Sequence, residues 1–347
     1  MKFSEMIIEE KNYILRLAFY GCTGGLIYSF AENYLVGTPL LPLIVRAGFL
    51  GLLLFCGVGF FEIRFKEFFR KHSFVLTLVL RSICYLFMII IWLLIINGIY
   101  EASKNDVSFF NGIAIYYNYS GMVVKNMIAL FSIIIFINAL IQINSLHRKG
   151  ELVSFILGRY HKPIEKSRIF LFIDLKSSTT IAEQLGHIRF GIFLQEYYFD
   201  LAKAARLAKG EIYDYIGDEA IISWPVDRQD SLENCLKCIE LMREILEKGK
   251  ERYFKVYGVS PGFRAGAHGG KSVIMWVGED RKEILYLGDV LNTTKRIQTE
   301  CNRFSTDFLL SGDLIKCFPG HDLSRFKFLD NILLKGKGQE VELYSVL

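Results

Sequence analysis

The sequence lacks the features that define several common classes of protein. Its seven cysteines are scattered through 347 residues, so no disulfide framework of a small secreted domain is indicated. The net charge is only +5 and no block of lysine or arginine occurs, which argues against nucleic acid as a partner. There is no internal repeat and no low-complexity tract. The CxxC pair Cys235 and Cys238 has no second pair or histidine cluster near it, so it is not typical of a metal or redox site.

Hydrophobic residues, in contrast, make up 52% of the chain and are concentrated in its N-terminal part. Four apolar segments, 17–36, 40–61, 82–100 and 126–143, are long enough to cross the hydrocarbon core of a bilayer, about 30 Å, as helices. We therefore expect residues 1–143 to form an all-α bundle of four transmembrane helices, with the lipid bilayer as a partner.

The distribution of basic residues predicts the orientation of this bundle. The connection between the second and third segments, "RFKEFFRKH", and the stretch "LHRKG" after the fourth are basic, whereas the other two connections carry almost no basic residue. The positive-inside rule then places both termini in the cytoplasm and makes the chain a multi-pass protein of the cytoplasmic (inner) membrane.

Three charged side chains fall within or beside the predicted spans. Arg81 is expected at the cytoplasmic end of the third span, with its guanidinium reaching the lipid headgroups. Glu32 and Arg46 admit two interpretations, an ion pair inside the bundle or separate positions near the same outer interface.

Residues 144–163 are predicted to link the membrane bundle to a cytosolic domain over residues 164–347. Apolar residues recur in this linker at helix-like spacings. The pattern is consistent with a parallel two-helix stalk that couples the two parts, and equally with a simple connector, because too few heptads are present to identify a coiled coil.

Two acids stand at the ends of strand-like runs in the cytosolic domain. Asp174 follows the apolar run 169–173, and a capping box at Thr180 and Glu183 predicts a helix immediately afterwards. Asp218 follows Gly217 in a turn between two short strands predicted within 210–225. If the strands are neighbours, the two carboxylates converge and could hold one or two Mg²⁺ ions. Alternatively, Asp218 only shapes a hairpin, and the spacing alone does not decide between these interpretations.

Two further groups of polar residues lie downstream. Asn292 and Arg296 are four residues apart on a helix predicted after the Gly-Asp turn at 288–289, so they share one face. They could orient a ribose and stabilise a phosphoryl transition state, or simply form an exposed polar face. Lys335 and Lys337 alternate with glycines between two strand-like runs, in a loop that could bind phosphate or be only a charged hairpin.

Five stretches of the chain match one known pattern in order: "FIDLKSST", "YIGDEAII", "FRAGAHGG", "LGDVLNTTKRI" and "LKGKG". The whole segment from about 167 to 347 resembles the class III nucleotidyl cyclase catalytic domain. The resemblance implies an α+β fold of the ferredoxin-like type, with helices packed on one face of an antiparallel sheet.

The resemblance also implies a role for each candidate residue. Asp174 and Asp218 match the two metal-binding aspartates, which hold two Mg²⁺ or Mn²⁺ ions per site, and the Leu175 carbonyl is a further expected ligand. Asn292 matches the asparagine that orients the ribose, and Arg296 the arginine that stabilises the transition state. Lys335 matches the lysine that contacts the triphosphate.

In this family, one catalytic domain supplies the aspartates and another supplies the asparagine and arginine. This chain carries both sets in a single domain, so the resemblance implies a homodimer with two equivalent sites. The expected reaction is the conversion of a nucleoside triphosphate to a 3′,5′-cyclic nucleotide and pyrophosphate by two-metal catalysis.

The residues that read the purine base depart from the family pattern. Adenylate-forming members usually carry a lysine four residues before the second metal aspartate, where this chain has Asp214. The partner position, usually Asp or Thr, is Leu285. We favour ATP as the substrate, with GTP and guanylate cyclase activity as the alternative.

The sequence leaves two other classes of function open. The first is a membrane sensor whose cyclase domain binds nucleotide without turnover, which the altered base-reading pair would favour. The second is a transporter or channel with a regulatory nucleotide domain, to which spans with few intramembrane charges and no broken helix pair give little support.

Overall fold

The computed structural model describes residues 40–70, 72–119, 157–279, 282–318, 323–333 and 340–346, with single positions between 11 and 34 and between 131 and 154. The chain divides into two compact units, Met1–Leu146 and His147–Leu347.

The described part of the first unit is helical. Its three helices are α1 (Leu40–Arg70), α2 (Phe74–Asn105) and α3 (Phe109–Tyr119). The second and third predicted spans lie within α1 and α2, whereas the first and fourth lie outside the described residues except at single positions. Within the described ranges, α2 is the one helix that is long enough and apolar enough to cross a membrane. A bundle of four spans therefore stays a prediction.

The basic segment after the second predicted span is helical from Arg64 to Arg70, because α1 continues to Arg70. The guanidinium of Arg81 lies 3.2 Å from the Glu62 carboxylate of α1 and stacks over the Phe69 ring, so it pairs between the two helices. Its place at the cytoplasmic end of a span stays a prediction. Glu32 and the side chain of Arg46 lie outside the described residues.

The second unit contains an eight-stranded sheet with helices between the strands. The strand order is β2-β3-β1-β4-β6-β8-β7, and β5 pairs with β4. The β4–β6 pair is parallel, and the other strand pairs are antiparallel. The strands are β1 (Ile164–Leu175), β2 (Glu211–Ile216), β3 (Glu219–Pro225), β4 (Phe263–Val277), β5 (Glu283–Leu287), β6 (Phe308–Ser311), β7 (Phe326–Leu333) and β8 (Glu340–Val346).

The helices of this unit connect the strands in a recognisable pattern. The first part of the chain runs β1, two helices, β2, β3, one helix and β4, with the spatial order β4-β1-β3-β2. This split βαβ arrangement confirms the predicted ferredoxin-like α+β fold. The helices are α4 (Ser178–Leu185), α5 (His187–Leu207), α6 (Ser231–Tyr257), α7 (Asp289–Glu300) and α8 (Gly312–Lys316).

The apolar run 169–173 of strand β1 is buried on both faces, as its composition predicts. On one face, Phe170 and Phe172 pack in a cluster with Val290 of α7. On the opposite face, Gly269 of β4, the register partner of Ile169, lies against Leu314 of α8. Helix α6 also contacts β1 and β3. The described helices therefore cover both faces of the sheet, not one face as expected.

The two cysteines of the CxxC pair lie on the buried side of α6. Burial raises the pKa of the Cys238 thiol to about 12 and raises that of Cys235 as well. Both thiols are fully buried and pack in the core of the unit.

Candidate active site

The two candidate metal-binding aspartates lie together at one end of the sheet. Asp174 is the second-last residue of β1 and faces Glu219, the first residue of β3, in the antiparallel register. The turn Gly217-Asp218 connects β2 to β3, with Gly217 at φ +64°. The Leu175 amide donates a hydrogen bond to the Asp218 carbonyl at 3.2 Å, which joins the turn to the end of β1.

The carboxyl groups of Asp174 and Asp218 are within hydrogen-bonding reach of each other. Burial raises the pKa of Asp174, and the neighbouring charge of Asp218 raises it further, while Lys295 and Arg264 act in the opposite direction. Two acids held this closely cannot both ionise without a compensating charge. The arrangement therefore favours a cation that both carboxylates can share.

Two donors bind a single oxygen of the Asp174 carboxylate. Arg264 Nη2 donates to Oδ2 at 2.9 Å, and Gln298 Nε2 donates to the same atom at 3.3 Å. Arg264 is the β4 residue opposite Asp174 in the β1–β4 register. Neither donor was predicted from the sequence, although Arg264 lies in the stretch "FRAGAHGG".

A third acid, Glu219, lies beside the pair and carries its own counter-ion. Glu219 forms an ion pair with Lys295 of α7, and its side chain is 9% exposed. Burial raises the pKa of Glu219, and the hydrogen bond and charge of Lys295 oppose that rise. The Tyr198 hydroxyl of α5 donates to the carbonyls of Gly217 and Glu219, at 2.7 and 3.1 Å, which fixes the turn that carries Asp218.

Asn292 and Arg296 lie on the side of helix α7 opposite its buried residues. Asn292 is exposed and Arg296 is half-buried. Neither forms a hydrogen bond or ion pair with Asp174 or Asp218 in the described part of the chain; Lys295 and Gln298 face that end of the sheet instead. The buried side of the helix consists of Val290, Thr293, Thr294, Ile297 and Gln298.

The predicted base-reading residues flank one aromatic contact. Asp214 follows a bulge in β2, and its Oδ1 accepts from the Tyr215 amide at 2.9 Å. Leu285 is half-buried in β5. Between them, the Tyr213 hydroxyl accepts from the Tyr286 amide at 3.2 Å, and the two rings meet edge to face. The structure thus brings β2 and β5 into contact beside both predicted positions.

The structure describes the two strands that flank the predicted phosphate-binding loop. Lys335 and Lys337 lie outside the described residues. The strands on either side, β7 ending at Leu333 and β8 beginning at Glu340, form an antiparallel pair, as the sequence predicts for a hairpin.

The donor set at the acid pair suits a hard divalent cation. Within the described ranges, no group of three or more His, Cys, Asp or Glu side chains is suited to hold a metal. Two adjacent carboxylates, a backbone carbonyl such as that of Leu175 and the phosphate oxygens of a substrate are the ligands that Mg²⁺ prefers, since this ion is seldom enclosed by protein alone. The residues present therefore fit a magnesium or manganese site that is completed by substrate.

The fold is shared with a nucleotidyl cyclase of known structure. The structure of a bacterial light-regulated adenylyl cyclase superposes with a TM-score of 0.51 and 17% identity, over 65% of this chain and 65% of that one. No protein-family model matches the chain.

Two relatives found by sequence carry the name adenylate cyclase. The chain is 34% identical over 206 residues to Adenylate cyclase 2 of Rhizobium meliloti (strain 1021), covering 59% of this chain and 57% of the relative. It is 25% identical over 185 residues to Adenylate cyclase of Anabaena cylindrica, covering 51% of this chain and 36% of that protein. The matches thus span little more than half of the first relative and about a third of the second. The resemblance of a segment of this chain to class III nucleotidyl cyclases is confirmed.

Proposed function

We propose that the protein is a nucleotidyl cyclase that converts ATP to 3′,5′-cyclic AMP and pyrophosphate. The observation that carries this proposal is the meeting of Asp174 and Asp218 at the end of the sheet, where burial and mutual repulsion raise the pKa of Asp174. Such a pair is stabilised by divalent cations, and cations at this position suit in-line displacement at phosphorus.

Asp174, Asp218 and the Leu175 carbonyl would hold two Mg²⁺ or Mn²⁺ ions. When bound, these ions would lower the pKa of the attacking 3′-hydroxyl and neutralise the departing pyrophosphate. The protein needs no nucleophile of its own in this reaction. Its residues orient the triphosphate and supply fixed charge, which is the main protein contribution to phosphoryl transfer.

The rest of the site would come from a second copy of the chain. Asn292 and Arg296 lie on the side of α7 opposite its buried residues, so they are available to another molecule and not to the aspartates they accompany. In a two-fold homodimer, each copy would offer its aspartates to one site and its asparagine and arginine to the other. Lys335 would contact the triphosphate.

ATP is the favoured substrate because the relatives described above carry the name adenylate cyclase. Asp214 and Leu285, beside the Tyr213–Tyr286 contact, would face the base. A carboxylate can accept from the adenine amino group or from guanine, so GTP is the alternative substrate.

The first unit would anchor the enzyme in the cytoplasmic membrane, with the catalytic unit in the cytoplasm. The apolar helix α2 supports membrane association. A four-span bundle and a coupling linker at 144–163 are part of this proposal.

The test is turnover by the purified full-length protein in detergent with Mg²⁺ or Mn²⁺, with ATP and GTP supplied separately. We expect cyclic AMP from the native protein and none from the Asp218→Ala variant. Cyclic GMP alone would reassign the substrate. Nucleotide binding with no cyclic product would contradict the proposed reaction and favour a sensor that binds nucleotide, as the unusual pair Asp214 and Leu285 would allow.

A further inference from the structure

Gln298 is a buried polar residue that the proposed reaction does not yet use. Its side chain is 1% exposed, and its Nε2 donates to Asp174 Oδ2 at 3.3 Å. Its Oε1 is also buried and has no hydrogen-bond partner among the described residues. A buried carbonyl oxygen without a partner costs free energy, so an apolar residue would pack here at lower cost unless the amide group has a function.

A glycine in the sheet, Gly266, allows Gln298 to come close to Asp174. A Cβ on Gly266 of β4 would lie 2.4 Å from the backbone nitrogen of Gln298 and 2.7 Å from its Cα, which is closer than any packed side chain allows. Gly266 pairs with Phe172, two residues before Asp174 on the same face. The glycine therefore permits close contact between α7 and the sheet at the point where Gln298 reaches the carboxylate.

The two donors to Asp174 converge on one of its oxygens. Arg264 Nη2 and Gln298 Nε2 both bind Oδ2, so neither engages Oδ1. Because they come from different elements, β4 and α7, together they restrict rotation of the carboxylate more than either could alone.

We propose that Gln298 is a positioning residue for the metal site: with Arg264 it holds Asp174 Oδ2 and so presents Oδ1 to a divalent cation. This inference rests on the proposed function, because it assumes that Asp174 binds the cation. Donors that orient a metal ligand typically change metal affinity by about 10–100-fold when they are removed.

The direct test measures Mn²⁺ affinity by electron paramagnetic resonance in the full-length protein with 3′-deoxy-ATP, which lacks the attacking hydroxyl and cannot be cyclised. Gln298→Met keeps the length and volume of the side chain and removes the donor. Gln298→Leu is a second variant if the first does not fold, with circular dichroism as the check. We expect Mn²⁺ to bind about 10–100-fold more weakly in these variants and to be needed at correspondingly higher concentration for half-maximal activity.

Thr294→Val is the matched control. Thr294 is equally buried on α7, but its hydroxyl donates only to the Val290 carbonyl within the same helix. Mn²⁺ affinity in this variant should stay close to native. Native affinity in Gln298→Met, or an equal loss in Thr294→Val, would overturn the positioning role. Absence of Mn²⁺ binding in the native protein would instead contradict the proposed function, and the inference with it.

Discussion

The two sides of helix α7 differ in how far a single chain completes them. Toward the end of the sheet, the Lys295 ammonium pairs with Glu219 and Gln298 Nε2 donates to Asp174, so these two donors have partners within the chain. On the outer side, Asn292 and Arg296 form no hydrogen bond or ion pair with the aspartates in the described part of the chain. Under the proposed function, one chain would carry two halves of a site that face in different directions.

Substitutions on the two sides of this helix should therefore have different effects on folding and on activity. Residues on the inner side hold the acid pair and the sheet together, so their substitution should affect both folding and metal binding. Residues on the outer side bury little surface, so their substitution should leave the fold intact and affect activity alone.

Replacing Asp174 with asparagine should reduce cyclic nucleotide production by at least about 1,000-fold, because the neutral amide cannot hold a divalent cation as a carboxylate does. The variant should still fold, since the amide retains an oxygen that can accept from Arg264. The measurement is turnover together with thermal unfolding. Substantial activity in a folded Asp174→Asn protein would contradict the metal assignment.

Gly266→Ala should lower the free energy of unfolding by about 1–3 kcal/mol, because the new methyl group overlaps the backbone of Gln298 and forces α7 away from the sheet. Activity should fall with it. The control is Gly191→Ala in α5, where a Cβ would meet nothing within 4 Å. That variant should be unchanged or slightly more stable, since alanine is the better helix former. Equal stability of the two variants in thermal unfolding would exclude a close contact at Gly266.

Lys295→Met should shift the acidic limb of the pH–activity profile to higher pH. The positive charge of Lys295 lowers the pKa of Asp174, and burial together with Asp218 raises it. Without the lysine, the carboxyl keeps its proton to a higher pH, and a protonated carboxyl does not bind the cation. Arg296→Ala is the contrasting variant, because it should lower turnover without moving that limb. An unshifted profile in Lys295→Met would show that this charge does not reach Asp174.

Asp218→Asn should stabilise the protein in the absence of metal while it removes activity. The pKa of Asp174 is raised in the folded state, so its contribution to stability is present at low pH and is lost as the pH rises through that value. Removing the neighbouring charge should therefore raise Tm at neutral pH by about 2–4 °C, corresponding to about 1 kcal/mol in a domain of this size. The gain should disappear at acidic pH. A lower Tm at neutral pH would argue against repulsion between the two acids.

Local patterns in the sequence predicted the elements that carry the site. The buried run before Asp174 predicted β1, the Gly-Asp turn predicted the β2–β3 hairpin, and the Gly-Asp turn at 288–289 predicted the start of α7. The predicted capping box at Thr180 is wrong: α4 begins at Ser178, and Ser177 before it makes no capping hydrogen bond through its side chain. The capping pattern was misleading because the chain leaves β1 through a left-handed residue, Ser177 at φ +58°.

The partners of the acids could not be predicted in the same way. Arg264 and Gln298 are 90 and 124 residues from Asp174 in the chain and meet it only through the strand register and the packing of α7. The function of Gly266 likewise depends on the close approach of a distant helix. No local pattern encodes these contacts. The partner of Arg81 was not predicted for a related reason, because Glu62 belongs to the preceding helix.

The most direct test of the shared site is to combine two inactive variants, Asp174→Asn and Arg296→Ala, by coexpressing two differently tagged chains. Each variant alone should make almost no cyclic AMP. In a mixed dimer, one site would join intact aspartates from one copy with intact Asn292 and Arg296 from the other. Random pairing should therefore restore about a quarter of native activity. If the mixed dimer forms and remains as inactive as either variant alone, the two halves do not belong to a site shared between chains.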